Sequence, residues 1–343
     1  MGVQDDWFQL GGHSLLATRL FARIEKATAV TLPMAALLEG ATIKHLAALI
    51  DQRQAPRGPA RDAAPPDRGF ARLVPMRCEG RLPPLFCVHG AGGNVLNLQD
   101  VARHLSPDRP FYAFQARGLD GQTPPHTSIE AMAEEYLAEL RSVQAAGPYY
   151  LSGYCGGGLV AYEMAQRLGA AGEQVRFLGI IDLYWPGISF KETRRQRWLR
   201  LLREGTPRQV LGKLRAKLSR DALYQCLRAR VWLRTALGRA VPFALRDFWL
   251  TREFYLAMTR YALAPYAGRV AVFRARDGGY EYLRDPGPDL GWGPLALQGV
   301  DAREVPGDHD TVMREPNVQI LAQQVEDAIA HAEEAPLQRH RSA

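Results

Sequence analysis

The spacing of apolar residues is helical at the start of this chain and becomes mixed further along. Leu16, Leu20 and Ile24 recur at intervals of four within residues 1–52, so we predict short helices there. Residues 53–70 contain four prolines and no large aliphatic side chain. Because prolines favour extended backbone and this stretch cannot build a core, we predict a linker between two domains.

From residue 71 onwards, short apolar runs alternate with amphipathic stretches. This alternation is typical of an α/β domain with a mostly parallel sheet and helices on both faces. The predicted strands are 85–89, 111–115, 149–153, 175–182, 269–275 and 302–305, and the predicted helices are 129–145, 156–168 and 318–332. We predict that this domain spans 71–335 and is followed by a tail at 336–343.

A helical insertion interrupts the alternation between the strand that ends at Asp182 and the strand that begins near Arg269. We predict a lid at about 187–263. Its expected helices are 190–203, 207–237 with a break, and 242–261. An insertion at the carboxyl edge of a parallel sheet lies where such proteins bind ligands.

The formal net charge of +7 is unevenly distributed along the 343 residues. Residues 188–263 hold 18 basic and 5 acidic residues, a net of +13, whereas the remainder has a net of −6. The chain is therefore not uniformly cationic, and we expect no nucleic acid as a partner. Two interpretations of the basic lid stay open: outer helix faces that are merely solvated, or a surface that attracts an anionic substrate or carrier.

The composition, 47% apolar and 23% charged, is ordinary for a globular protein and excludes a wholly disordered or fibrous chain. We expect no membrane association, because there is no apolar run of about 18 residues and no secretory signal pattern at the N-terminus. Four cysteines lack paired metal-ligand spacing: Cys78, Cys87, Cys155 and Cys226. They fit a reducing compartment, so we expect a cytoplasmic location and no metal.

One of these cysteines lies between a predicted strand and a predicted helix, in Gly153-Tyr-Cys155-Gly-Gly157. The pattern G-x-C-x-G is that of a nucleophile elbow with cysteine in the serine position. The glycines leave room for the sharp turn, and the helix N-terminus favours the thiolate form. The alternative is a glycine-rich turn that holds an inert cysteine.

An elbow nucleophile is typically followed along the chain by an acid and then a histidine. Asp182 ends the next strand, and His309 lies in the loop after the last predicted strand. We predict Cys155, Asp182 and His309 as the catalytic residues. For the oxyanion hole we predict the amide N–H groups of Gly156 and Ala91, with Gly92 as an alternative to Ala91. His89 is expected to orient that loop.

Near the N-terminus, Ser14 follows Gly11-Gly12-His13 at the start of a predicted helix. Its hydroxyl group would serve as an N-cap. It would also be accessible as a modification site, and a phosphodiester would suit the helix N-terminus.

Together these motifs resemble the carrier–thioesterase region of a nonribosomal peptide synthetase. Residues 1–52, with DDWFQLGGHSL, are similar to part of a peptidyl carrier domain, and the resemblance implies 4′-phosphopantetheine on Ser14. Residues 71–335 resemble a type I thioesterase with the α/β-hydrolase fold. The matching stretches are PLFCVHGAGG, ARGLDG, GPYYLSGYCGGGLVAYEMAQRL and VPGDHDTVM.

The resemblance implies that the chain releases a carrier-bound peptide supplied by upstream synthetase modules. The family usually has a serine nucleophile, and its cysteine-bearing members are associated with closure of β-lactone or β-lactam rings. We therefore expect ring closure, a β-lactam first, with a β-lactone, a macrocycle or simple hydrolysis as alternatives. Two other classes stay open: a cysteine α/β-hydrolase outside peptide synthesis, such as a dienelactone-hydrolase-like enzyme, and an inactive carrier-binding module.

Overall fold

A computed structural model of the 343-residue chain describes residues 2–12, 14–55, 70–184, 206–280 and 287–334. Most of the predicted linker, the predicted lid helix at 190–203 and the predicted tail at 336–343 lie outside these ranges. The predicted start of the lid near residue 187 also lies outside them.

The N-terminal region forms the predicted short helices. They are α1 (Ser14–Thr28), α2 (Ala36–Glu39) and α3 (Ile43–Gln54). The Thr42 side chain caps α3 by accepting a hydrogen bond from the backbone N–H of His45 at 3.1 Å. The helices enclose an apolar cluster that contains Phe21 and Leu37 and continues into Phe243 of the larger domain.

The larger domain is built on a seven-stranded sheet with the order β1-β3-β2-β4-β5-β6-β7. Its strands are β1 (Leu73–Arg77), β2 (Leu85–Val88), β3 (Phe111–Phe114), β4 (Tyr149–Tyr154), β5 (Val175–Ile181), β6 (Val270–Ala275) and β7 (Val300–Val305). Strands β2 to β7 pair in parallel, and β1 pairs antiparallel with β3. The prediction of a mostly parallel sheet is confirmed.

Helices cover both faces of the sheet, as predicted. Helices α5 (Ile129–Val143) and α6 (Gly157–Ala170) pack on one face, and α4 (Gln99–His104) and α9 (Asn317–Glu334) pack on the other. Strand β4 is buried along its whole length because it lies in the middle of the sheet. This burial fixes the turn that follows β4, which carries Cys155.

Between β5 and β6 the described part of the insertion consists of α7 (Pro207–Ala236) and α8 (Phe243–Arg260). The predicted break within 207–237 is wrong, because α7 continues through Gly212. A glycine in an exposed helix costs only about 1 kcal/mol, which does not end a helix of this length. Helix α7 packs on α8 through Val231 and Trp249. In the part of the chain that the structure describes, no helix is long and apolar enough to span a membrane.

Strand β1 was not predicted. It is a short edge strand that contains Pro75, and only its first two residues are buried. A proline is tolerated there because an edge strand need not donate every backbone hydrogen bond. The first three residues of β1 pair with Phe114, Ala113 and Tyr112 of β3.

Candidate active site

Cys155 occupies a sharp turn between the buried strand β4 and helix α6. Its backbone φ is +53°, a left-handed conformation that is uncommon for a residue with a side chain. The backbone N–H of Cys155 donates to the carbonyl of Ile181 at 2.9 Å, which ties the turn to the end of β5. Gly153 is required here, because a Cβ atom would lie 2.3 Å from the backbone carbonyl of Gly157.

The environment of Cys155 differs from that of the other cysteines. Cys155 is a free, half-buried thiol at the carboxyl edge of the sheet. Cys87 is buried within β2, and burial raises the pKa of its thiol to about 12. Cys78 and Cys226 are exposed. Cys155 is therefore the cysteine that combines a strained turn with access from the sheet edge.

Asp182 and His309 lie next to each other, although 127 residues separate them in sequence. The Nδ1 atom of His309 is 2.7 Å from Oδ2 of Asp182. The Asp182 side chain is 1% exposed, and that of His309 is 42% exposed. The carboxylate is thus shielded from water, while the other ring nitrogen of the imidazole is left for a reacting group.

Two further donors hold the Asp182 carboxylate. Its Oδ1 atom accepts a hydrogen bond from the backbone N–H of Ala275 at 2.7 Å and another from the hydroxyl group of Tyr280. The backbone of Asp182 has φ of +53° and its N–H donates to Phe273 at 2.8 Å. The orientation of the carboxylate is therefore fixed by the neighbouring strand β6 and by the segment that follows it.

The imidazole of His309 favours its protonated form. Burial alone would lower its pKa, but the hydrogen bonds and negative charges of Asp182 and Cys155 outweigh burial and raise the pKa to about 10. The ring of Tyr154 stacks on the imidazole with centroids 5.2 Å apart, and the Tyr154 hydroxyl donates to the His309 carbonyl at 2.6 Å. These contacts hold the histidine loop against the elbow.

The loop after β2 lies beside the elbow and is held by His89. The Nδ1–H group of His89 donates to the carbonyl of Gly90 at 2.6 Å, and Nε2 lies 2.8 Å from the Tyr136 hydroxyl. Complete burial lowers the pKa of His89 to about 4, so the ring is neutral and structural. The Gly93 N–H closes the turn on the Gly90 carbonyl at 3.0 Å.

Within the described ranges, the amide N–H groups of Ala91 and Gly156 donate no hydrogen bond to a protein acceptor. Gly156 caps the N-terminal end of α6, and Gly90 next to Ala91 lies close to Tyr154 and Cys155. N–H groups near a nucleophile that have no acceptor among the described residues are available to stabilise an oxyanion.

A cavity of about 570 Å³ connects the N-terminal domain with this site. On one side it is lined by Gly11 and Gly12, which precede Ser14, the first residue of α1. On the other it is lined by Ala91, Tyr154 and Asp310, among others. The cavity thus extends from the glycines that precede α1 to Tyr154, the residue before Cys155.

The structure thus brings together Cys155, Asp182 and His309, with Ala91 and Gly156 beside them, and places the glycines that precede Ser14 on the cavity that Ala91 also lines. Their catalytic roles stay predictions. Two residues of the site, Tyr280 and Tyr154, were not predicted from the sequence. Tyr154 lies between Gly153 and Cys155, so its place in the elbow motif could have indicated it. Nothing in the sequence near Tyr280 indicates a contact with Asp182.

Comparison with known proteins identifies the two parts of the chain. The profile of the thioesterase domain family matches residues 83–329, and the profile of the phosphopantetheine attachment site matches residues 1–50. The chain is 40% identical over 182 residues to a probable non-canonical nonribosomal peptide synthetase, CymA, of Salinispora arenicola, covering 53% of this chain and 2% of that protein. It is 28% identical over 365 residues to chondramide synthase cmdD of Chondromyces crocatus, covering 98% of this chain and 9% of that protein.

Solved structures agree with this fold. The chain superposes on holo-AB3403, a four-domain nonribosomal peptide synthetase bound to AMP and glycine, with a TM-score of 0.61 and 27% identity over 95% of this chain and 24% of that one. It superposes on the NocB thioesterase domain, in covalent complex with a fluorophosphonate nocardicin G analogue, with a TM-score of 0.54 and 23% identity, over 77% of this chain and 100% of that one.

The chain belongs to the thioesterase domain family and has the α/β-hydrolase fold, as the resemblance implied. Its N-terminal 50 residues match the phosphopantetheine attachment site family, and the chain spans only 2% and 9% of the length of the two synthetases named above.

Proposed function

We propose that this chain releases an acyl group from its carrier through a covalent intermediate on Cys155. The observation that carries the proposal is the position of Cys155 on a strained elbow, beside an imidazole whose pKa it helps to raise and whose Nδ1 lies 2.7 Å from Asp182. A nucleophile, a base and a group that orients the base are the elements of a catalytic triad.

The domains proposed are a carrier at 1–52 and a thioesterase at 71–335.

In the first step, the Cys155 Sγ atom attacks the carbonyl carbon of the carrier-bound thioester, and the amide N–H groups of Ala91 and Gly156 stabilise the oxyanion. Phosphopantetheine on Ser14 would supply the thioester sulfur. His309 then gives its proton to the departing sulfur as the bond from that sulfur to the acyl carbon breaks. The acyl group is left as a thioester on Cys155.

In the second step, a nucleophile attacks the acyl carbon and loses its proton to His309, and the bond from Sγ to carbon breaks. Acylation removes the negative charge of Cys155, which is one of the causes that raise the His309 pKa. The pKa of the imidazole therefore falls at this stage, and the neutral ring is available as a base at neutral pH. The nucleophile is a group within the peptide, or water.

We propose that the nucleophile belongs to the peptide and closes a strained ring, a β-lactam in the first place. A thioester lacks the resonance of an oxygen ester, so the acyl group on Cys155 stays activated for ring closure. A β-lactone, a macrocycle and hydrolysis are the alternatives.

Four free cysteines suit a reducing compartment, and a cytoplasmic location is part of the proposal. Upstream synthetase modules are the proposed source of the peptide.

The first experiment incubates the protein with a pantetheine thioester of a short acyl group and weighs the intact protein. We expect one added acyl group in the wild-type protein and in Cys226→Ala, which removes an exposed cysteine of α7, and none in Cys155→Ala. An adduct that persists in Cys155→Ala would overturn the proposed nucleophile.

A second experiment tests ring closure with a peptidyl thioester that carries an amide N–H or hydroxyl group able to form a four-membered ring. The cyclised product weighs one water less than the hydrolysed acid. We expect the cyclised product from wild type and a larger share of acid from Cys155→Ser. Acid alone from the wild-type protein would leave a hydrolytic thioesterase and exclude cyclisation of that substrate.

A further inference from the structure

Arg246, in the first turn of α8, is a buried cation that joins the carrier domain to the thioesterase domain. Its side chain is 3% exposed, and its NH2 atom lies 2.9 Å from Oε2 of Glu25 on the carrier helix α1. The same atom lies 3.4 Å from the Thr31 hydroxyl, also in the carrier. Phe21 of α1 stacks on Phe243 of α8 beside this ion pair, with ring centroids 6.0 Å apart.

The rest of the guanidinium is bound to the thioesterase domain. Its Nε–H donates to the carbonyl of Val241 at 2.9 Å, and NH1 donates to the carbonyl of Leu119 at 3.2 Å. A buried charge that loses its partner is costly because water cannot replace the partner fully. The environment of Arg246 is thus complete only when the carrier places Glu25 against it.

One face of α8 runs from this ion pair to the elbow. Arg246, Leu250, Phe254 and Met258 recur at intervals of four, so they lie on the same side of the helix. A Cβ atom on Gly156 would lie 2.3 Å from the Phe254 ring and 2.7 Å from the Met258 sulfur, which shows how closely α8 covers the elbow. Leu250 and Phe254 likewise cover the loop after β2, at Gly93 and His89.

We propose that the ion pair of Glu25 and Arg246 is a carrier-sensing contact. When the carrier docks, Glu25 holds the N-terminal end of α8, and α8 in turn holds the elbow and the loop after β2 in their reactive arrangement. The partner that this surface fits is the carrier domain of the same chain, and the acyl group that the carrier delivers reacts faster than the same group on a soluble thioester. This inference rests on the proposed function.

The first test needs no catalysis and follows amide hydrogen exchange in the full chain. It compares wild type with Glu25→Lys, which sets two cations against each other, and with the matched control Glu39→Lys. Glu39 is an exposed carrier residue at the end of α2. We expect exchange of the α8 amides to quicken by about tenfold or more in Glu25→Lys and to stay unchanged in Glu39→Lys.

Equal exchange of α8 in all three proteins would overturn the inference. Exchange of the α1 and α3 amides in the same data shows whether Glu25→Lys unfolds the carrier itself. If it does, the milder Glu25→Gln takes its place. We then expect the α8 amides to exchange faster in Glu25→Gln than in the wild-type protein.

The second test measures acyl transfer to Cys155 from two donors, the acylated phosphopantetheine arm of the same chain and a soluble pantetheine thioester. We expect Glu25→Lys to slow transfer from the carrier by about tenfold or more and transfer from the soluble thioester by less than about twofold. An equal effect on both donors would contradict carrier sensing. If wild type reacts with neither donor, the proposed function fails, while the exchange data still decide whether the carrier holds α8.

Discussion

The Nδ1 atom of His309 lies 2.7 Å from Oδ2 of Asp182, and the ring of His309 is stacked on Tyr154, the residue before Cys155. The ends of β5 and β7 and the elbow after β4 therefore meet at one point of the sheet edge. The carboxylate at that point is buried and held by two further donors. The chemistry proposed for the chain depends on this pairing.

Removal of the Tyr280 hydroxyl should slow acylation. In Tyr280→Phe the Asp182 carboxylate loses one of its donors, and a hydrogen bond to a charged group is worth about 1.5–3 kcal/mol. We expect the rate of acylation by a soluble thioester to fall by about three- to tenfold, since the carboxylate is less well fixed. The control is Tyr224→Phe on α7, where the ring packs on Phe248 away from the site. Equal rates in both variants would show that Tyr280 does not position Asp182.

The stability of the protein should depend on pH through His309. Its pKa is about 10 in the folded protein, against about 6.5 in an unfolded chain. The stabilisation is therefore complete below pH 6.5 and is lost as the pH rises to about 10. Since the His309 side chain is 42% exposed, solvent screening makes the effect smaller than the pKa difference alone implies.

Chemical denaturation of wild type and His309→Gln at several pH values checks this expectation. The difference in free energy of unfolding between the two proteins should be largest near pH 6 and shrink towards pH 10. A difference that stays constant over this range would mean that the imidazolium is not stabilised by its surroundings.

The elbow should not tolerate a side chain at Gly153. A Cβ atom there would meet the backbone of Gly157 at 2.3 Å, and we expect Gly153→Ala to lose at least about 2 kcal/mol of stability. Gly169 in α6 has open space at its Cβ position, so Gly169→Ala should stabilise by about 0.5–1 kcal/mol. Thermal unfolding of both variants measures the contrast, and similar melting temperatures would refute the tight turn.

The basic lid should affect the binding of anionic substrates if its charge is functional. Arg228 on α7 lines a cavity together with Trp232 and Arg252. In Arg228→Glu we expect KM for an anionic soluble thioester to rise steeply at low salt and little at high salt, because salt screens exposed charges. Lys44→Glu, on the exposed surface of α3, changes the charge equally and should have no such effect. An unchanged salt dependence would mean that the lid cations are merely solvated.

The strands and helices in which apolar residues recur at a regular spacing could be predicted from the sequence. Strands such as β2 and β4 are continuous apolar runs because both faces are buried, and the helix after the elbow begins at the glycines. Asp182 and His309 could be proposed because each directly follows a strand, and parallel strands end at the same edge.

Other features depend on tertiary contacts that no local pattern records. Tyr280 is 98 residues from Asp182 in sequence, and the contact exists only because β5 and β6 are neighbours. The ion pair of Glu25 and Arg246 joins residues 221 apart. Strand β1 was missed since its edge position tolerates Pro75 and exposed residues. The break predicted within 207–237 is absent because α7 is one continuous helix, and the cost of Gly212 within it is small.

Intact-protein mass spectrometry after mixing with a soluble acyl thioester shows whether Cys155 carries the acyl group. We predict one acyl group on the wild-type protein, located at Cys155 by peptide mapping and absent from Cys155→Ala. A wild-type protein that turns over the thioester without ever carrying the acyl group on Cys155, or undiminished turnover in Cys155→Ala, would contradict it.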